Sequence, residues 1–199
     1  QYFVWLLGLL QGNLGTSYST FQPVSEMILS HLGPTLLLMG AALVLSLIIS
    51  LIGGIFSATH AYSKGDYTVV SLSFLGSSVP SFFLALLLIY LFTVKLGLLP
   101  SSGMITLGVG GGALDVIRHM ILPRGVLAFG MAGTNIRYFR SAVLEILQQD
   151  YLRTAKAKGI GHRLVIYKHA LRNAMLTVIT VIGMEIPVLF GGAVVVEQV

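Results

Sequence analysis

The chain has 199 residues, of which 55% are hydrophobic and only 10% are charged, and its mean hydropathy is +0.89. Soluble domains carry about 25% charged residues, so a soluble fold of this size could not cover so much apolar surface, and lipid is the expected solvent. The sequence contains no cysteine, which excludes disulfides and cysteine-ligated metal sites.

Residues 1–30 are predicted to form an external segment that lies on the bilayer surface. The apolar run Tyr2–Leu10 is shorter than the roughly 20 helical residues that a bilayer requires. Its aromatic side chains, Tyr2 and Trp5, suit the membrane interface. No basic region precedes this run, so it does not resemble a signal peptide. Because the chain opens at Gln1 and stops just after an apolar run, we expect a fragment of a longer protein.

Four membrane-spanning helices are predicted, near residues 34–58, 67–94, 119–141 and 173–196. The first two lie in stretches without Lys, Arg, Asp or Glu, and each supplies the roughly 20 residues that a bilayer requires. Pro34 is expected in the first turn of the first span, where its missing N–H costs nothing. Pro80 is expected to kink the second span. The small residue Gly76, shortly before it, favours close contact with a neighbouring helix.

The third and fourth predicted spans carry charged residues. Arg124, Arg137 and Arg140 fall in the third, and long side chains near helix ends can reach the membrane interface. Glu185 stands in the middle of the fourth, where an ionisable group is costly and faces a cavity or a partner. Two roles remain open for Glu185, lining a translocation path or forming a structural hydrogen bond to another helix. Pro187 is expected to kink this span.

The distribution of Lys and Arg predicts the side of the membrane on which each loop lies. Eight of the 12 basic residues fall in the loop at 142–172 or at its edges. The positive-inside rule therefore places the loops at 59–66 and 142–172 in the cytoplasm. Topology and contact with anionic lipid head groups account for the net charge of +5. No DNA-reading module accompanies the basic loop, so no nucleic-acid partner is expected.

The basic loop contains the most informative pattern, DYLRTAKAKGIGHRLVIYKHALRN at 150–173. Tyr151–Lys158 are good helix formers, and Gly159 supplies the left-handed residue that ends a helix. A second helix is predicted at His162–Arg172. The pattern predicts an elbow that projects from the membrane, and its small alanines at 155 and 157 would let it enter the cleft of a partner.

This pattern resembles the EAA loop of binding-protein-dependent ABC permeases, which reads roughly E-A-A, then Gly, then I-x-L-P. Ala155, Gly159 and Leu171 match it, whereas Arg153–Thr154, His169 and Arg172 depart from it. The departures resemble the dipeptide, oligopeptide and nickel subfamily, whose loop reads much like DYVRTARAKG followed by HALRNA. Other stretches resemble that subfamily in order along the chain: QGNLGTS at 11–17, SVPSF at 78–82, LGLLPSSG at 96–103, RYFRSAVLE at 137–145 and GGAVVVE at 191–197.

The resemblance implies an all-α, polytopic membrane helical bundle of the type I ABC importer permease fold, with a cytoplasmic coupling helix. Residues 1–199 would form a single transmembrane permease domain of the inner membrane that lacks the first and last spans of the family. The implied partners are a second permease subunit, two cytoplasmic ATP-binding subunits and an external substrate-binding protein. The residues implied to dock on an ATPase are Leu152, Arg153, Thr154, Ala155, Lys156, Ala157, Lys158 and Gly159.

The function implied by the resemblance is that of a permease subunit, which forms the path for peptides or a related solute. Glu185 and Pro80 are candidates to line that path. The sequence contains no Gly-Lys dipeptide and hence no phosphate-binding loop, so ATP is expected to be used by partner subunits and no cofactor by this chain. The glycine cluster at 108–112 is interpreted as a flexible external loop. The scattered histidines predict no metal site.

Two alternatives remain, a secondary transporter from the same transport class and a membrane enzyme from another class. A secondary transporter would favour inverted repeats or several intramembrane charges, and neither is evident. A membrane enzyme would need paired intramembrane acids, an H-E-x-x-H pattern or a nucleophile motif, which the sequence lacks. Dipeptides, longer peptides, nickel chelates and oligosaccharides all remain open as substrates.

Overall fold

The computed structural model describes residues 2–103, 105–106, 112–161 and 164–191, and helices make up most of this part of the chain. The α-helices are α1 (Tyr2–Leu10), α2 (Val24–Thr59), α3 (Lys64–Ser78), α4 (Ser81–Ile89), α5 (Ala113–Leu147), α6 (Asp150–Ala157) and α7 (Leu171–Gly191). The π-helical stretch Tyr90–Lys95 continues α4, and a second, Val165–Ala170, leads into α7. Within the described ranges no β-sheet forms, and the all-α prediction is confirmed.

Some of the sequence predictions reach beyond the described residues. The glycine cluster at 108–112 is described only at its last residue, and the first two residues of the predicted helix His162–Arg172 are outside. The end of the fourth predicted span, at 192–196, and all but the first residue of the motif at 191–197 are outside as well. The described part of that predicted helix consists of Val165–Ala170 and the start of α7.

Two stretches of the described chain are helices long and apolar enough to cross a membrane on their own, Val24–Thr59 and Val165–Pro187. The pair α3 and α4 meets the same test only when both are taken together across a bend of 100°. The central helix α5, which contains the third predicted span, does not meet it, because charged side chains interrupt its apolar surface.

Pro34 and Pro80 occupy different positions relative to the helices from those that the sequence predicts. Pro34 is not in the first turn of a helix: α2 begins ten residues earlier, at Val24, and Pro34 lies inside it. The reason is that Pro23 occupies the position before the helix, so the chain is helical well before Pro34. Pro80 does more than kink its span, because α3 ends at Ser78 and Val79 is extended. The proline ring disfavours the helical conformation at the residue before it, which explains the complete break.

The central helix α5 is the element against which α2, α3, α4 and α7 all pack. Close approach depends on glycines, as small residues allow in helix contacts within membranes. A Cβ atom on Gly133 of α5 would lie 2.6 Å from the carbonyl oxygen of Ser73, and one on Gly76 of α3 would lie 2.7 Å from that of Phe129. The prediction that Gly76 serves a helix contact is therefore confirmed.

Replacing Gly133 with alanine is expected to lower the thermal stability of the folded protein. The added methyl group meets backbone atoms, which cannot move aside like a side chain, and overpacking of this kind costs about 1–3 kcal/mol. The matched control is Gly125→Ala, also in α5, where an added Cβ has nothing within 4 Å. Thermal unfolding of the purified protein in detergent compares the two variants. Equal unfolding temperatures for both variants would contradict the close packing of α3 on α5.

Candidate functional site

The elbow, residues 150–161, has the geometry that its sequence predicts. It consists of α6 and a corner in which Gly159 has a φ of +79°. The amide of Lys158 donates to the carbonyl of Thr154, and the amide of Ile160 donates to the carbonyl of Ala155. These bonds close the end of the helix around a left-handed glycine, and the predicted conformation of Gly159 is confirmed.

One face of α6 is buried against the membrane bundle. Leu152 is completely buried in a cluster with Val165 and Ala170, and Ala155 packs against that cluster. Residues three apart share a face of a helix, so Leu152 and Ala155 point the same way. Ala155 is therefore half-buried by this chain itself, and its entry into the cleft of a partner stays a prediction. The cause is tertiary: the chain folds back after Gly159 and supplies its own apolar partner.

The opposite face of α6 is exposed. This face exposes four side chains, those of Arg153, Thr154, Ala157 and Lys158. The structure does not describe the side chain of Lys156. The carboxylate of Asp150 lies 3.5 Å from the guanidinium of Arg153, and their side chains are 93% and 75% exposed. Exposed ion pairs contribute little to stability, so both groups are available to a partner.

The elbow is also connected to α7 by a polar contact. The side-chain amide of Asn173 donates to the Tyr151 hydroxyl over 2.7 Å. Together with the buried Leu152, this contact fixes the direction in which α6 leaves the membrane bundle. The sequence motif contains both residues but does not reveal that they meet.

Glu185 lies between α5 and α7. The side-chain amide of Asn135 on α5 donates to Glu185 Oε1 over 2.7 Å, and Asn135 is only 1% exposed. The second oxygen, Oε2, is buried without a hydrogen-bond partner among the described residues. The structural hydrogen bond to another helix, one of the two roles open for Glu185, is therefore present. Pro80 lies elsewhere, exposed at the break between α3 and α4.

Two arginines of α5, Arg137 and Arg140, contact α3. Arg137 Nη1 donates to the Ser73 carbonyl over 3.2 Å and to the Ser77 hydroxyl over 3.1 Å. Its guanidinium also lies 4.7 Å from the centre of the Phe74 ring. No local sequence pattern indicates these contacts, because they depend on α3 running alongside α5.

Arg140, whose side chain is 21% exposed, forms an ion pair with the buried Asp66 that sequence reasoning missed. Its Nε donates to Asp66 Oδ1 over 2.8 Å, and its Nη2 donates to Asp66 Oδ2 over 2.7 Å. The Ser57 hydroxyl donates to the same carboxylate, and so does the backbone amide of Tyr62 over 2.7 Å. We call Ser57, Tyr62, Asp66 and Arg140 the Asp66 junction. The sequence signal that could have indicated it is one acid and one arginine at the edges of successive apolar segments.

The histidines of the described chain do not form a metal site. No group of three or more His, Asp or Glu side chains within these residues could hold an ion. His31 and His119 line a cavity of about 250 Å³ between α2, α4 and α5.

Asp115, in the first turn of α5, accepts two hydrogen bonds from one residue. The backbone amide and the hydroxyl of Thr106 both donate to its carboxylate, and these bonds lower the pKa of that carboxyl.

Comparison with known proteins gives the family. Residues 50–199 match the family model described as binding-protein-dependent transport system inner membrane component. The chain is 47% identical over 201 residues to the oligopeptide transport system permease protein AppB of Bacillus subtilis, covering all of this chain and 63% of that protein. It is 37% identical over 199 residues to the glutathione transport system permease protein GsiC of Salmonella choleraesuis, covering all of this chain and 62% of that protein. The chain thus spans somewhat less than two thirds of the length of these relatives. The chain belongs to the family of binding-protein-dependent transport system inner membrane components.

Proposed function

We propose that this chain is the transmembrane permease part of an ATP-driven importer and forms the path for peptides or a related solute. The observation that carries the proposal is the elbow. A helix buried on one face and exposed on the other projects from the bundle at the position where the family pattern has its docking loop. Relatives named for oligopeptide and glutathione transport support the peptide class.

The proposed partners follow from the same site. The exposed face of α6 carries basic side chains and the Asp150–Arg153 pair, which suit a polar surface on a cytoplasmic ATPase subunit. Two such subunits, a second permease subunit and an external substrate-binding protein complete the proposed importer. The protein is proposed to lie in the cell membrane as a multi-pass component, since two of its described helices are long and apolar enough to cross a membrane and a bent pair of helices meets the same test together. It performs no chemistry itself.

The purified permease is expected to hydrolyse no ATP, because its sequence contains no phosphate-binding loop. Reconstitution into vesicles with the ATPase subunits and the binding protein should give peptide uptake that requires ATP. The control is the same vesicle preparation without the ATPase subunits, which should accumulate no peptide. Hydrolysis by the permease alone would contradict the proposal. Uptake driven by an ion gradient without ATP would instead favour the secondary transporter.

A further inference from the structure

The Asp66 junction joins three helices at one end of the bundle. Asp66 is 1% exposed in the first turn of α3, Ser57 belongs to the end of α2, and Arg140 belongs to α5. The amide of Asp66 also donates to the hydroxyl of Ser63, the residue that caps the start of α3, over 3.2 Å. A single carboxylate thereby fixes the loop between α2 and α3 and the lower half of α5 at once.

We propose that the Asp66–Arg140 pair is a positioning element that holds the elbow in a fixed relation to α3 and transmits its movement to the membrane spans. This inference rests on the coupling function proposed above for the elbow. Neither residue touches the exposed face of α6, so both would act through the packing between them and the elbow. Both residues lie outside the loop motif at 150–173.

A continuous set of packed side chains connects the elbow to the junction. Leu152 of α6 packs in a cluster with Ile146 and Leu147 at the end of α5. The same two residues pack against a second buried cluster, formed by Ala58, Val143 and Ala174. Ala58 directly follows Ser57 of the junction, and Val143 lies three residues after Arg140. A displacement of α6 is therefore passed through two packed clusters to residues close in sequence to Ser57 and Arg140 of the junction.

Beyond the junction, α3 is attached to α5 along its length. Arg137 donates to Ser73 and Ser77, and the glycine contact at Gly133 brings the two backbones together. A movement that reaches Asp66 is therefore shared by the whole of α3. The helix α3 ends at the break before Pro80, where the chain turns by 100° into α4, so the shared movement stops there.

The chemistry of the junction suits positioning better than stability. A buried ion pair stabilises little more than apolar side chains of the same shape, but its paired hydrogen bonds accept only one relative orientation. Tyr62 supports this reading, because it is a non-glycine residue with a φ of +65° and its amide is bonded to Asp66. Strained backbone of this kind persists only where the surroundings fix it.

Distance measurement between two spin labels tests the proposal directly, because the chain has no cysteine of its own. Labels are placed on two exposed positions, Gly161→Cys in the elbow, which is not among the residues proposed to dock, and Ser78→Cys at the end of α3. The protein, assembled with its partner subunits in nanodiscs, should give one narrow distance distribution. Asp66→Asn should broaden it. The control is Asp115→Asn, at the end of α5 far from Arg140, and this variant should leave the distance distribution narrow.

A second variant covers the case in which Asp66→Asn fails to fold. Asp66→Asn combined with Arg140→Gln removes both charges and leaves no buried charge without a partner. It should accumulate in the membrane and still give the broad distribution, since the paired bonds of guanidinium and carboxylate are lost. A narrow distribution in this double variant would overturn the proposal.

Measuring transport tests the proposal independently of the label distances. In reconstituted vesicles the double variant should bind the ATPase subunits normally, while peptide uptake per ATP hydrolysed falls about tenfold. Uptake and hydrolysis falling together, in proportion to folded protein, would show a merely structural role and would also overturn the proposal. If the native complex shows no ATP-dependent uptake, the proposed function fails, and the label distances still decide whether the junction positions the elbow.

Discussion

Replacing Gly159 with proline is expected to abolish ATP-dependent uptake and to weaken binding of the ATPase subunits strongly. Gly159 has a φ of +79°, which proline cannot adopt because its ring fixes φ near −65°. The corner must then open, and α6 can no longer place Leu152 in its buried cluster while its outer face stays in position. Membrane insertion should be normal, because it depends on apolar segments and flanking charges.

Two further substitutions separate the effect of the left-handed turn at Gly159 from other effects of changing the elbow. Gly159→Ala keeps the chain flexible but places a Cβ on a left-handed residue, at a cost of about 1–2 kcal/mol, so uptake should fall less than with proline. Gly161→Ala is the matched control, because its Cβ meets nothing within 4 Å and its φ lies outside the left-handed region. Recovery of the ATPase subunits on the immobilised permease measures docking. Native recovery and native uptake with Gly159→Pro would show that the elbow is not the coupling element.

Replacing Glu185 with leucine is expected to destabilise the contact between α5 and α7. The buried amide of Asn135 loses its acceptor, and a buried donor without a partner costs about 1–3 kcal/mol. Glu185→Gln keeps a carbonyl oxygen for that bond, so its stability should match the native protein. Thermal unfolding in detergent measures both, with the exposed neighbour Met184→Leu as control.

Transport by the Glu185→Gln variant then isolates the role of charge in the path. Its folding is expected to be intact, so reduced uptake or an altered pH dependence of uptake would report a carboxylate that lines the path. Native uptake with Glu185→Gln, together with a destabilised Glu185→Leu, would leave the residue a structural role alone. If Glu185→Leu unfolded at the native temperature, the Asn135 bond would contribute nothing.

The motif-bearing loop is the part of the candidate site that the sequence predicts best. Helix formers followed by glycine and an isoleucine determine the local turn, since a left-handed residue is tolerated mainly by glycine. The sequence does not show which face of α6 is free. That face is determined by Val165 and Ala170, which return to cover Leu152 after the corner.

For the charged and polar residues of the spans, too, the sequence predicts some features and tertiary packing determines others. By itself the sequence determined a membrane protein, its helical class, the position of the elbow and the lack of an ATP-binding loop, because these depend on composition and on patterns between near neighbours. Only the tertiary structure decided that Arg140 meets Asp66, 74 residues away, and that Asn135 meets Glu185, 50 residues away. The physical reason is that a buried polar group takes its partner from whichever helix packs beside it, and helix packing brings together residues that no local pattern connects.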